Sequence, residues 1–139
     1  MRLLSLPAVK QFIKFSLVGA SGTIVDWLVY FALTRWFHWF YLIAKIISFI
    51  LAAINNYILN RVWTFRSKEK NVFKEFAKFA IVSTVGLVFN TFIMYLVVDK
   101  LKYNDFIGLI LATAIVMFWN FLVNKFWTFR ETNNEKNNK

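Results

Sequence analysis

Residues 60–67 read NRVWTFRS, and residues 124–131 read NKFWTFRE. An asparagine, a base and the run Trp-Thr-Phe-Arg thus recur 64 residues apart in a chain of 139. Extended outward without gaps, the alignment pairs residues 12–66 with 76–130, and thirteen of the pairs are identical. Besides Trp63–Arg66 and Trp127–Arg130 they include Phe12/Phe76, Lys14/Lys78, Phe15/Phe79, Val18/Val82, Gly22/Gly86, Asn56/Asn120 and Asn60/Asn124. A repeat of this length sets the architecture before any single motif is read.

The composition says where such a repeat resides. Apolar residues make up 59% and aromatic residues 20%, and mean hydropathy is +0.53, yet the formal net charge is +10. The charges are segregated. Between Phe15 and Arg61 only Asp26, Arg35 and Lys45 are charged, and between Phe79 and Val98 nothing is. Lys and Arg on a nucleic-acid binder would line a soluble face, so this segregation predicts a membrane protein and no nucleic-acid partner. The absence of cysteine and the single His38 exclude thiolate chemistry and a histidine metal site. The start, MRLLSLPAVKQFIKF, lacks an apolar core followed by a small-residue cleavage site, so no removable signal is expected.

A helix needs roughly 20 mostly apolar residues to cross the hydrocarbon core. Four windows qualify, at about 15–35, 41–60, 77–98 and 106–125. The predicted fold is an all-α membrane protein, one domain over 1–139, with two spans in each repeat and a polar, disordered tail at 131–139. Two spans per unit give both repeats the same orientation, a parallel repeat with a groove between its halves. Thirteen of the seventeen bases precede span one, lie between spans two and three, or follow span four. Arg35, Lys45, Lys100 and Lys102 fall on the other side, and this bias places both termini in the cytoplasm of a multi-pass cell-membrane protein.

The opening FIKFSLVGASGTIVDWLVYFAL, residues 12–33, followed by INNYILNRVWTF, residues 54–65, resembles the GtrA-like family of small four-span membrane proteins. The resemblance covers about residues 10–131. It implies a part in cell-surface polysaccharide synthesis: flipping of polyprenyl-phosphate-linked monosaccharides, or assistance to glycosyltransferases that use those donors. It implies no enzymatic activity and no cofactor. The second half departs from the motif, with Asn90 for Asp26, Ser83 for Gly19 and Trp119 for Asn55, so a charge-dependent step belongs to the first half.

Asp26 stands deep in the first span, where a carboxylate costs at least about 2.5–3.5 kcal/mol unless it faces protein or water. It is read as a proton-coupling group or a partner for sugar hydroxyls; the alternative is a paired group that fixes helix packing. Asn56 and Asn60 share a helix face, as do Asn120 and Asn124, and Ser48 and Ala52 continue the first pair's face. These amides are candidates for substrate binding or for bridging helices. Arg61, Arg66, Lys125 and Arg130 end spans two and four and are candidate phosphate contacts, since arginine offers a planar fork and lysine a point charge. Setting orientation and attracting anionic lipid is their other reading. Trp63, Phe65, Trp127 and Phe129 read as interfacial anchors. A small multidrug-type exporter also has four spans and an acid in its first helix, but the strong charge bias argues against its dual orientation. Membrane lipids, a polyprenyl-phosphate-linked sugar and glycosyltransferases are the expected partners, and a homodimer stays open because four spans are few for a head-group pathway.

Overall fold

The computed structural model describes residues 6–130. The tail 131–139, expected to be disordered, lies outside them. Among the described residues all regular structure is helical: α1 (Leu6–Phe31), α2 (Tyr41–Leu59), α3 (Val72–Tyr95) and α4 (Asp105–Val123). Each helix runs on into a five-residue π-turn, at Ala32–Trp36, Asn60–Thr64, Leu96–Lys100 and Asn124–Thr128. With these turns the four segments span Pro7–Trp36, Tyr41–Thr64, Val72–Lys100 and Asp105–Thr128, each long and apolar enough to cross a membrane. A segment of 24 residues rises about 36 Å, enough for the hydrocarbon core with margin.

The first and third segments begin earlier than hydropathy suggests, at Pro7 and Val72 rather than near 15 and 77. Lys10, Lys14, Lys74 and Lys78 lower the window average there, but lysines at a helix end extend their stems and keep the helix intact. Pro7 sits in the first turn of α1, where an amide N–H has no helical acceptor.

The chain divides at Ser67/Lys68 into two compact units, each a hairpin of two helices. In unit 1 the face of α2 and its π-turn that meets α1 carries Ala44, Ser48, Ala52, Asn60 and Thr64, all buried. Phe15, Val18 and Gly22 are the buried residues of α1 along the same stretch. Unit 2 is built alike, with Gly108 and Ala112 on α4, Asn124 and Thr128 in the π-turn after it, and Phe79, Val82 and Gly86 on α3. Lipid tails are as apolar as leucine, so burial of apolar surface does not hold such helices together; close packing of small residues does. Large side chains point outward accordingly, among them Ile24, Leu28, Ile46, Ile50, Phe106 and Ile110. In water this would be an aggregation surface; in a bilayer it is the lipid face.

The π-turns close on hydrogen bonds five residues back, with Phe65 N–H donating to Asn60 O and Phe129 N–H to Asn124 O, both at 2.9 Å. Three of the four segments then end on a left-handed residue: His38 (φ 54°), Arg66 (φ 50°) and Lys102 (φ 60°). Glycine is the usual occupant of such a position, and Arg66 and Lys102 place a cationic side chain at the negative end of the helix dipole. At the opposite ends, Asn71 and Asn104 cap α3 and α4 by accepting from Lys74 N–H (3.1 Å) and Ile107 N–H (2.8 Å). Replacing Asn104 with alanine is expected to lower unfolding stability by about 1 kcal/mol, measured by thermal unfolding in detergent. No change would mean that the turn at 101–104 holds α4 without its cap.

Candidate functional site

The residues identical in the two repeats account for one another within each hairpin. Thr64 Oγ1 donates to Asn60 Oδ1 at 2.8 Å, and Thr128 Oγ1 to Asn124 Oδ1 at the same distance. Lys14 Nζ lies 5.3 Å from the centre of the Trp63 ring, and Lys78 Nζ 5.6 Å from that of Trp127. Gly22 faces the Asn56 amide and Gly86 the Asn120 amide, so closely that a methyl group at either glycine would collide with it. Phe65 is fully buried, edge-on to Phe15 with ring centres 6.3 Å apart, and Phe129 is 1% exposed.

These contacts correct two sequence expectations. Phe65 and Phe129 are packed inside rather than presented to a lipid interface, because the wide turns at Asn60–Thr64 and Asn124–Thr128 are followed by a residue directed inward. Trp63 and Trp127 are each 41% exposed. Asn60 and Asn124 are also buried and bonded to the threonine one turn on, and Asn124 Nδ2 donates to Asn120 O at 2.7 Å. Their amides serve the helix ends and present no open face to a substrate.

The chemistry lies where the units differ. Asp26 Oδ2 and Lys45 Nζ form an ion pair between α1 and α2, 2.6 Å apart. The Asp26 side chain is 16% exposed and that of Lys45 54%. Asp26 Oδ1 is buried without a hydrogen-bond partner. Ser48 lies beside the carboxylate, but its hydroxyl donates to the Lys45 carbonyl at 3.0 Å. Lys45 also stands 6.0 Å from the centre of the Tyr30 ring. Further along the same pair of helices, Asn55 Nδ2 donates to Ser21 Oγ at 3.1 Å and lies 3.5 Å from Asn56 Oδ1. Unit 1 therefore carries a polar track along its helix contact: Asn55, Asn56 and Ser21, then Ser48, then Asp26 and Lys45.

Unit 2 lacks this track. The positions 64 residues on hold Asn90, Leu109, Val85, Ala112 and Trp119. Trp119 packs against Phe89 with ring centres 4.9 Å apart, and its indole N–H donates to the Val82 carbonyl at 3.4 Å. An apolar contact fills the space that polar groups take in unit 1. Asn120 keeps the place of Asn56, with its Oδ1 buried and without a partner.

The expected basic contacts gather at the end of each hairpin where the chain enters and leaves. Arg61 is half-buried and donates from Nη1 to Ser67 Oγ at 3.4 Å, while Arg66 is exposed in its left-handed conformation. Lys125 lies about equally close to the Phe121 and Phe126 rings, at 5.8 and 6.0 Å, and Arg130 is exposed. Arg130 does not share the left-handed backbone of Arg66. Lys14 and Asp26 are twelve residues apart on α1, about 18 Å along the axis. Asp26 and the basic end thus form two separate places in unit 1.

Two groups escaped the sequence reading. In the sequence Lys45 is one of four bases on the sparse side; its pairing with Asp26, 19 residues away on another helix, leaves no local signature. Glu75, in the first turn of α3, is 2% exposed. The residue 64 positions earlier, just ahead of the aligned stretch, is Gln11, and that swap of a neutral amide for an acid is the available signal. A carboxylate in a first turn gains from the amide dipoles there.

A family model described as GtrA/DPMS, transmembrane domain, matches residues 14–129. The chain is 31% identical over 124 residues to the uncharacterized membrane protein YngA of Bacillus subtilis, covering 89% of this chain and 82% of that protein. It is 24% identical to the uncharacterized membrane protein YwcD of the same organism, covering 87% of this chain and 98% of that one. A dolichol-phosphate mannosyltransferase of Pyrococcus furiosus is 26% identical over 129 residues, and there the match takes in 87% of this chain but 34% of the relative. From the extent of the family match and the four apolar helices, this multi-pass membrane protein belongs to the GtrA/DPMS transmembrane-domain family.

Proposed function

We propose that the protein is a flippase for polyprenyl-phosphate-linked monosaccharides, moving them from the cytoplasmic to the outer leaflet for glycosylation of a surface polymer. The observation that carries this reading is the polar track of unit 1 with its unpartnered buried oxygen, Asp26 Oδ1. A carboxylate oxygen accepts but does not donate, so it fits a hydroxyl-rich ligand, and a sugar is one. The side-chain amides of Asn55 and Asn56 add donors and acceptors along the same helix contact. The basic end, with Lys14, Arg61 and Arg66, suits the phosphate, and the charge bias of the chain sets that end in the cytoplasm. Family membership supports the substrate class, because the family is related to polyprenyl-phosphate sugar metabolism.

The separation of about 18 Å between the basic end and Asp26 makes the two places successive stations rather than one pocket. Asn60 and Asn124 do not belong to either. The reaction moves a head group and breaks no bond, so the reading requires no nucleophile or metal.

The test is transbilayer movement in vesicles holding purified protein and a labelled short-chain prenyl-phosphate glucose, followed by its accessibility to a non-permeant oxidant. Faster movement than in protein-free vesicles is expected. Movement at the protein-free rate would favour a second reading, in which the chain is a membrane subunit that holds a glycosyltransferase at the bilayer. That reading draws on the mannosyltransferase relative, of which the matched region is only 34%.

A further inference from the structure

We infer that Lys45 is a phosphodiester-binding group, a receiving station for the lipid phosphate at the far end of the unit 1 track, with Asp26 as its resting counter-ion. The inference rests on the flippase reading and adds a residue and a partner exchange to it.

The ion pair is not what holds the hairpin together. Unit 2 packs with the corresponding glycine–asparagine contact, the same threonine–asparagine bonds and the same buried phenylalanines, and holds Asn90 and Leu109 at the two positions. A fold that closes without the pair in one hairpin does not need it for closure in the other. Nor is the pair saturated. The Lys45 ammonium has three protons and is more than half exposed, and one oxygen of Asp26 has no donor. The two side chains together offer open donors and an open acceptor, the complement of a phosphate next to a hydroxyl.

Position decides which anion arrives. In α2 and the π-turn that follows, the cations are Lys45 and Arg61, sixteen residues or about 24 Å apart. Between them α2 carries no charged residue. A phosphate that leaves Arg61 and Lys14 therefore meets Lys45 as the next cation along this hairpin. A phosphodiester carries one negative charge, and one ammonium matches it. On arrival Lys45 would exchange Asp26 for the phosphate, and Asp26 would take a sugar hydroxyl. The Asp26 carboxylate would then be held by hydroxyl hydrogen bonds in place of its counter-ion.

Phosphodiesters come from two sources in a membrane, the sugar carrier and ordinary phospholipid head groups, and the test separates them. Protein in phosphatidylcholine vesicles is treated with an amine-modifying reagent, and the modification of Lys45 is followed by mass spectrometry. Addition of short-chain prenyl-phosphate glucose is expected to slow modification several-fold, and the matching prenyl alcohol to leave it unchanged. In Asp26→Asn, Lys45 is expected to react faster without ligand and still be protected by the phosphodiester. The double variant Asp26→Lys/Lys45→Asp is expected to keep the thermal stability of the parent and to lose transport. Transport at the parental rate in that double variant would reduce the pair to a clasp and overturn the proposal. Equal protection by added phosphatidylglycerol would overturn it too, making Lys45 a lipid head-group contact. Protection of Lys45 is read without transport, so a protein that binds but does not flip would refute the flippase reading and leave Lys45 as the phosphate site.

Discussion

Phe65→Ala is expected to cost about 3 kcal/mol or more of unfolding stability, the loss typical of a buried aromatic truncated to a methyl. Phe65 is fully enclosed and meets Phe15 edge-on, so the cavity has little means to collapse. Trp63→Ala, two residues away, removes an aromatic that is 41% exposed and stacked under Lys14. Its expected cost is about 1 kcal/mol, the scale of a cation–π contact at a partly exposed site. Chemical or thermal unfolding in detergent measures both. A reversed order would mean that the Trp-Thr-Phe block anchors the protein in lipid through both rings, as the sequence first suggests. Phe129→Ala and Trp127→Ala should repeat the contrast, since Phe129 is 1% exposed.

Gly22→Ala is the second large effect. An added methyl would stand 2.6 Å from Asn56 Cγ and closer still to Oδ1, and the amide has α1 directly before it. Such overpacking typically costs about 1–3 kcal/mol. Gly19→Ala, one turn earlier on α1, meets nothing within 4 Å. That variant is expected to be neutral or to gain up to about 1 kcal/mol from the better helix propensity of alanine. The double variant Gly22→Ala/Asn56→Ala removes the colliding amide and should recover most of the stability lost by the single change. A full additive loss instead would show that Asn56 contributes to the helix contact independently of Gly22. Gly86→Ala should behave like Gly22→Ala, with Asn120 Oδ1 2.6 Å and Val116 Cγ1 3.2 Å from the new methyl.

Much of the fold is legible in the sequence because it rests on signals that are local or periodic. Uncharged runs mark the four helices, and the 64-residue offset marks two hairpins of like content. The helix ends are less legible. Lysines depress hydropathy without ending a helix, so α1 and α3 begin several residues before the apolar windows. The inward turn of Phe65 is hidden as well, because a π-turn adds to each turn the residue that a regular 3.6-residue period omits. At the candidate site Asp26 stands out as an acid inside an apolar span, and its partner does not. Lys45 is four residues into α2, where a base reads as ordinary topology, and only the packing of α1 on α2 brings it to Asp26. Gly22 and Asn56 are each visible as repeated residues, but their mutual contact is tertiary. The same holds in reverse for Asn60 and Asn124: residue type suggested ligands, while burial and the neighbouring threonine gave them to the helix ends.

In the proposed flippase, transport depends on the track of unit 1 and on its unpartnered carboxylate oxygen. Transbilayer movement of labelled prenyl-phosphate glucose, compared among the parent protein, Asp26→Asn and Asn90→Ala, tests it most directly. Asp26→Asn keeps the shape of the side chain and removes its charge. It should slow movement by about tenfold or more, the kinetic equivalent of one charge-assisted hydrogen bond. Asn90→Ala, at the corresponding place in unit 2, should leave the rate within about a factor of two, as for a change away from the path. Equal rates in the parent and Asp26→Asn, or a larger loss from Asn90→Ala, would contradict the assignment of the path to unit 1.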